Sequence, residues 1–482
     1  MTAKNFPMQF FQRYRSLLPA PGLRAAGIGY VILLGLAAIF FGRYAYSGHR
    51  VLVELFVWAT VPPLVWLYLC GFRAVQSSTT PPLKLIVGVA AISGLLAVAI
   101  TPFNSTDVYA YVNAGWLQAH YGLSPYASVV SDVPDWRAHE IFSAYWPNEP
   151  FIYGPVFARI CKTLCWLGNG SLFYTVLWFK LANLVAFGLS GLLLYAAARR
   201  QKIARPDLSL YLFLWNPLIL LHVIGNAHND IFTIVFLLLA LHLVLIDRWL
   251  RVCTALVGSV MIKYMSVILV PFFFVLCWKK KRVVQGVAGL VPACVILWIV
   301  CLPYIGAFRN VRYQGISLQF SDTTTCLFQS LSETYIMLTH LMPSLAGSLA
   351  GFQWFVKLLL GAIFAIVYAV AFFEAAKDEE FTPSKLVGVS LMLLTLLLCV
   401  ASATFYPWYL ALLLPLACLL EQGHWLRVLA VVLTCVQMLS FTGLAQAHVI
   451  NYLVMIVLPL VWVLRRYRPF AGVRKLRSVW ES

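Results

Sequence analysis

Apolar runs long enough to cross a bilayer recur along this chain, near 24–41, 51–71, 84–101, 172–197, 208–224, 231–247, 284–303, 350–373, 386–402, 407–420, 427–444 and 448–464. A spanning helix needs about 20 mostly apolar residues. Inside lipid, only helices or closed barrels satisfy the backbone. Runs this long and continuous read as helices, so the expected fold is all-α: a polytopic integral membrane protein with about twelve spans. Composition agrees, with 62% hydrophobic and 11% charged residues, against about 25% charged in an ordinary soluble domain. The net charge of +18 would suggest nucleic acid in a soluble protein. Here the Lys and Arg mark cytoplasmic loops, and no nucleic-acid partner is expected. The 11 cysteines are scattered without CxxC spacing, so neither a zinc site nor a disulfide framework is indicated.

Charge placement sets the orientation. The N-terminal arm, residues 1–23, is basic and aromatic, and reads as an amphipathic cytoplasmic segment. The Arg199–Arg205 loop, the Lys279–Arg282 cluster and the basic tail, residues 465–482, should lie on the same side. Both termini are then cytoplasmic, around a transmembrane domain of residues 24–464. The large first outer loop, 102–171, faces outside with Asp132, Asp135, Glu140 and Glu149. Two segments resist this scheme. Residues 152–168 are apolar enough to span, but crossing would put Arg199, Arg200 and Lys202 outside, so an interfacial helix is expected. Residues 252–278 have basic flanks at both ends, which calls for a re-entrant pair broken near Ile262-Lys263-Tyr264, with Lys263 deep. One long tilted helix with a snorkelling Lys is the alternative.

The polar clusters unusual at membrane depth fall on the outer side. The first is Thr101-Pro-Phe-Asn-Ser-Thr-Asp107-Val-Tyr109-Ala-Tyr111. A carboxylate there is expensive to keep near lipid and is functional by default. As a general base, Asp107 would take the proton from an acceptor hydroxyl attacking a sugar carbon. One carboxylate suffices when the leaving group is a phosphate, whereas glycoside hydrolysis normally needs two. Capping a helix from Val108 is the structural alternative. Tyr109 and Tyr111 would offer a face and hydroxyls to a sugar ring. In Gly225-Asn226-Ala227-His228-Asn229-Asp230, Asn226, His228 and Asn229 would contact sugar hydroxyls, and Asp230 would join them or N-cap the next helix. His228 and Asp230 are only weak evidence for a metal site. Arg309 and Arg312 break the positive-inside pattern and suit a phosphate, or anchor to headgroups. Trp408 and Tyr409 read first as an interfacial aromatic belt, then as substrate-facing.

Asp107-Val-Tyr109-Ala-Tyr111, Gly115 and Gly122-Leu-Ser-Pro125-Tyr126 together resemble the first outer loop of GT-C membrane glycosyltransferases. The similarity is greatest to bacterial polyprenol-phosphate-mannose-dependent alpha-1,6-mannosyltransferases. Trp215-Asn216-Pro217 with Gly225–Asp230, and Phe405-Tyr406-Pro407-Trp408-Tyr409 with Pro415, resemble two further motifs in the same order, across about 85–420. The resemblance implies a GT-C-like core and a polyprenyl-phosphate-linked sugar donor, with mannose the favoured sugar. Asp107 stands at the family's catalytic base. Asp107-Val108-Tyr109 replaces the Asp-x-Asp of some superfamily members, so no metal or other cofactor is expected. The chain lacks the extended outer C-terminal domain of oligosaccharyltransferases, which argues for a glycan or lipid acceptor. The expected function is inverting sugar transfer at the outer face of a bacterial cell membrane. Asp107 would be catalytic; Tyr109, Tyr111, Asn226, His228, Asn229, Asp230, Lys263, Arg309, Arg312 and Tyr409 would bind substrate. A transporter or flippase of lipid-linked sugars is the rival, and a non-catalytic membrane scaffold a third reading. No internal repeat favours transport, and the clustering on one face favours an enzyme.

Overall fold

The computed structural model describes residues 21–45, 48–310, 326–342, 347–438 and 448–467. Every regular element among them is a helix. Each of the twelve expected spans coincides at least in part with a described helical segment, residues 439–444 of the 427–444 run lying outside the described residues, and the segments are of three kinds. Seven helices are long and apolar enough to cross a membrane: Leu23–Tyr44, Val51–Ser77, Leu172–Arg200, Val283–Ala307, Leu349–Lys377, Pro383–Ala401 and His448–Tyr467. One span is broken by a bend of 55° between Pro206–Leu214 and Ile219–Gly225. Four are shorter: Leu83–Ala99, Asp230–Leu245, Pro407–Cys418 and Trp425–Val436. At about 1.5 Å per residue, 17 residues cover about 25 Å, less than a hydrocarbon core of about 30 Å. The first three of these end, or begin, at a polar motif. They are short because they stop at the site.

Residues 249–279 double back. Trp249–Val260 is followed by a break at Met261–Lys263, a 3-10 turn Tyr264–Leu269, and the helix Val270–Lys279. Trp249 and Cys253 of the first leg share a crevice with Phe273 and Cys277 of the second. At that open end Arg282 Nε donates to Asp247 Oδ1 at 3.0 Å. The single tilted helix therefore does not form. Lys263 is extended (φ −141°, ψ 118°), and Pro271 lies in the first turn of the second leg, where its fixed φ suits a helix start. The tip is pinned to the outer loop: Gly154 N donates to Ile262 O at 3.1 Å and Val156 N to Met261 O at 3.0 Å.

The bend after Leu214 follows from Trp215-Asn216-Pro217. Pro217 has no N–H to continue the ladder. Asn216 bridges the gap, its Oδ1 accepting from Leu218 N at 3.0 Å and its Nδ2 donating to Thr434 Oγ1 at 3.0 Å. Trp215 Nε1 donates to Ile86 O at 3.0 Å, tying the bend to the Leu83–Ala99 helix. Beyond it, Ile219–Gly225 is a π-helix, a form concentrated at functional sites.

The 102–171 loop carries the helices Asp107–His120 and Pro155–Gly168. The second is amphipathic and packs on the first. A Cβ at Gly115 would lie 2.4 Å from Cys165 Sγ and 2.5 Å from Cys161 O, so this motif glycine sets the helix spacing. Gly122 instead takes a left-handed turn (φ 66°) after the helix ends. Gly115→Ala should lower stability by about 1–3 kcal/mol through overpacking. Gly88→Ala, at a helical position with nothing within 4 Å of the added Cβ, should not. Thermal unfolding of the two purified variants in one detergent measures the difference.

Candidate active site

Asp107 is the first residue of its helix, with Thr106 as N-cap and no side-chain cap bond. Thr106 and not Asp107 holds the capping position, so Asp107 does not cap a helix from Val108. It faces His228, with Oδ2 3.4 Å from Nδ1. The Asp107 side chain is 23% exposed and His228 is fully buried. Burial pushes the Asp107 carboxyl up, but the bond to His228 and its charge, with Lys263 and Ser105, outweigh this and hold it below the usual carboxylate value. Ser105 Oγ also accepts from Asp107 N at 3.3 Å.

His228 is fixed from both sides. Its ring stacks on Trp408 at 4.0 Å and 16°, and Trp408 stacks on Tyr406 at 4.6 Å and 9°. Its backbone lies in a tight turn in which Ala227 is left-handed (φ 59°), a conformation that needs outside support for a residue with a Cβ. Asn183, fully buried on the Leu172–Arg200 helix, supplies that support. Its Nδ2 donates to Val223 O at 2.6 Å and His228 O at 2.8 Å. Asn226 holds the approach to Asp107: its Oδ1 accepts from Phe103 N at 3.0 Å, and its Nδ2 donates to Asn104 Oδ1. Lys180 Nζ donates to Val98 O at 3.2 Å and to Ile100 O, closing the end of the preceding helix.

Asp230 begins its helix, with Asn229 as N-cap and no side-chain cap bond. Its carboxylate instead binds Lys263 Nζ at 2.7 Å, with both side chains buried. Lys263 Nζ also lies 4.0 Å from the Tyr409 ring centroid, a cation–π distance. The hairpin tip and the Asp230 helix are therefore joined at the site by an ion pair. Both Asn229 side-chain atoms and Asp230 Oδ2 are buried without a hydrogen-bond partner among the described residues. No group of three or more His, Cys, Asp or Glu placed to hold a metal occurs among the described residues.

Two cavities meet here. One, about 120 Å³, is lined by Asp107, Asn113, Trp146, Glu149, Tyr406 and neighbours. The other, about 480 Å³, is lined by Lys263, Tyr264, Phe328, Lys357, Leu360 and neighbours. Ile152, Tyr153, Thr404 and Tyr409 line both. Among the described residues, the charged groups lining the first are acidic, and those lining the second are basic.

The expected site residues separate into three sets. Asp107, Lys263 and Tyr409 line the cavities. Asn226, His228, Asn229 and Asp230 lie buried behind the wall. Tyr109 stacks on Tyr145 at 5.6 Å. Tyr111 is fully buried, packed edge-on against Tyr153 and Phe157. Trp408 and Tyr409 are buried at the site, not an interfacial belt, because the turn carrying them ends inside the protein. Arg312 and the Arg309 side chain lie outside the described residues. Lys357, Trp146 and Asn183 were not singled out from sequence. Lys357 had a signal, a cation well inside the long apolar helix Leu349–Lys377, away from the charged residues Glu374 and Lys377 at its end.

The fold and this cluster define a polytopic helical membrane protein with one polar, two-chambered site. Residues 26–279 match the family model for the alpha-(1->6)-mannopyranosyltransferase N-terminal domain, and the chain belongs to that family. Among curated proteins it resembles alpha-(1->6)-mannopyranosyltransferase B of Corynebacterium glutamicum, 31% identical over 30% of this chain and 24% of the relative. The A protein of the same organism is 25% identical over 36% of this chain and 34% of its own length. The A protein of Mycobacterium tuberculosis is 22% identical over 77% of this chain and 72% of its own length. The first two matches thus span about a quarter and a third of the relatives' lengths.

Cutting the Lys263–Asp230 pair on one side only should be costly. Lys263→Met leaves a buried carboxylate without its cation and should cost about 3–5 kcal/mol. Adding Asp230→Asn should recover much of that stability. Unfolding midpoints of the two single variants and the double variant check this, and equal losses in Lys263→Met and the double variant would contradict it.

Proposed function

We propose that the protein is an inverting glycosyltransferase that moves a sugar, mannose by family membership, from a polyprenyl-phosphate donor to a hydroxyl of a glycan or lipid acceptor. The site would open at the outer face of a bacterial cell membrane, with both termini cytoplasmic. The observation that carries the reading is the position of Asp107: a carboxylate held ionised beside His228, on the acidic side of a wall whose other side is lined by Lys263 and Lys357.

The chemistry follows from that division. The donor phosphate lies in the basic cavity, with the sugar carbon C1 toward the shared wall. The acceptor hydroxyl enters the acidic cavity. Asp107 takes its proton as the oxygen bonds to C1, and the C1–O bond to phosphate breaks with its electron pair on the phosphate oxygen. A phosphate leaves without protonation, so no second carboxylate acid is required. Lys263 and Lys357 stabilise the growing charge, and Arg309 and Arg312 are proposed to join them. Attack and departure on opposite sides invert the anomeric centre. His228 acts through Asp107 by orienting it, and Asp230 acts through Lys263. Tyr409 and Tyr153 flank the sugar at the wall. Tyr109 and Tyr111 brace the helix that carries the base, and Asn226 and Asn229 shape the turn behind it.

Transfer from a synthetic polyprenyl-phosphate mannose should fall about 100-fold or more in Asp107→Asn, with donor binding retained. Undiminished transfer would place the base elsewhere. Facilitated movement of the lipid-linked sugar across vesicles, without transfer, would favour a flippase.

The pH profile gives a separate check. Asp107 works as a base only when ionised, so its lowered pKa puts the acid limb below the usual carboxylate range. His228→Asn removes the leading influences that lower it and leaves burial, which raises it. The acid limb of kcat should move to higher pH. An unmoved limb with reduced kcat would mean that His228 does not act through the Asp107 charge.

A further inference from the structure

The acidic cavity has a wall that the proposed reaction does not use. Trp146 lines it, together with Glu149. Trp146 is left-handed (φ 61°), a rare conformation for a bulky side chain and one that persists only where neighbours impose it. The neighbours are all on, or next to, the helix that Asp107 begins. Trp146 Nε1 donates to Thr106 Oγ1 at 2.9 Å. The Tyr145 ring stacks on Tyr109. Asn113, buried on the same helix, donates through Nδ2 to Tyr145 O at 2.9 Å and accepts through Oδ1 from Ser143 N at 3.1 Å. Despite these attachments, Tyr145 and Trp146 keep 44% and 37% of their surface exposed. An aromatic pair is thus held half-open, one residue from the base, with a carboxylate in the same cavity.

We propose that Trp146, with Tyr145 and Glu149, forms an acceptor subsite for a neutral glycan chain, holding the sugar unit next to the one whose hydroxyl meets Asp107. This rests on the transferase reading above and extends it to the class of acceptor. The C–H face of a pyranose packs on an indole, and a carboxylate accepts its hydroxyls. An anionic headgroup is disfavoured because the charged side chains lining this cavity among the described residues, Asp107 and Glu149, are both acidic. The lipid-phosphate donor has its own basic cavity, which Trp146 does not line.

The test uses the full chain in nanodiscs with methyl α-mannoside and its α-1,6-linked di- and trisaccharides, in binding and in transfer. The disaccharide should bind about tenfold better than the monosaccharide. Trp146→Ala should abolish that difference and raise the disaccharide KM about tenfold, leaving the donor KM unchanged. Trp146→Phe keeps an aromatic face but loses the bond to Thr106, and should restore most of the preference. A role only in bracing Thr106 would give no such rescue, and that result would overturn the subsite. So would equal binding of mono- and disaccharide, or a length preference that survives Trp146→Ala. If the unaltered chain transfers nothing, the transferase reading fails while the binding series still decides the subsite. If none of the three glycosides binds, the subsite falls as well.

Discussion

A helix that stops inside an apolar layer leaves its terminal N–H and C=O groups to be satisfied by something other than water. That constraint organises this protein. The helices Leu83–Ala99 and Asp230–Leu245, both legs of the 249–279 hairpin and the Pro407–Cys418 segment all have one end at the same place. Groups at or beside these ends are met from other elements, by side chains or by backbone. Lys180 takes the carbonyls of Val98 and Ile100. Asn183 takes those of Val223 and His228. The Lys263–Asp230 pair joins the hairpin tip to the neighbouring helix. These polar groups cannot be scattered, because each alone would be a buried unsatisfied group. Bringing them together ties the polar site to the ends of the short segments that meet there.

The same gathering separates charge. Asp107 and Glu149 fall on one side of the wall formed by Ile152, Tyr153, Thr404 and Tyr409, and Lys263 and Lys357 on the other. Asp230 offsets part of the Lys263 charge, which limits the cost of keeping that ammonium buried before an anion arrives. Lys357 lies 4.9 Å from the Phe328 ring centroid, an arrangement that also spares it a fully apolar surrounding.

Much of this was legible in the residues, and the parts that were not have physical reasons. Apolar length and basic flanks located all twelve helical segments and the break at 262–264, because hydrocarbon thickness and charge act on sequence directly. They could not distinguish a full span from a shorter helix, since Leu83–Ala99 and Asp230–Leu245 are as apolar as true spans and differ only in where they stop. Asp107 stood out by depth alone. Whether it capped its helix or faced a partner depended on His228, 121 positions away. Asp230 was ambiguous for the same reason until Lys263 was in place. Asn183 and Trp146 carry no local signal: an Asn in an apolar helix and a Trp in an outer loop have common structural uses. Tyr111 and Trp408 show the converse, aromatic motif residues that tertiary packing takes inside.

The helix Asp107–His120 connects the proposed base to everything proposed for the acceptor. Asp107 begins it, Asn113 holds the 143–145 segment, and Gly115 presses it onto Pro155–Gly168. Asp107 and the Tyr145–Trp146 wall are therefore anchored on one helix. The basic cavity is built instead from the hairpin tip and the helices containing Phe328 and Lys357. An inverting displacement places nucleophile and leaving group on opposite sides of the reacting carbon. Two cavities that meet along Ile152, Tyr153, Thr404 and Tyr409, one acidic and one basic among the described residues, suit that geometry. In the proposed reaction, placing C1 for attack would depend on how the 102–171 loop meets the hairpin tip, at Gly154 and Val156 against Met261 and Ile262. A Cβ at Gly154 would lie 2.1 Å from Met261 O. The glycine is required there because the two halves of the site touch through backbone, with no side chain between them to give way.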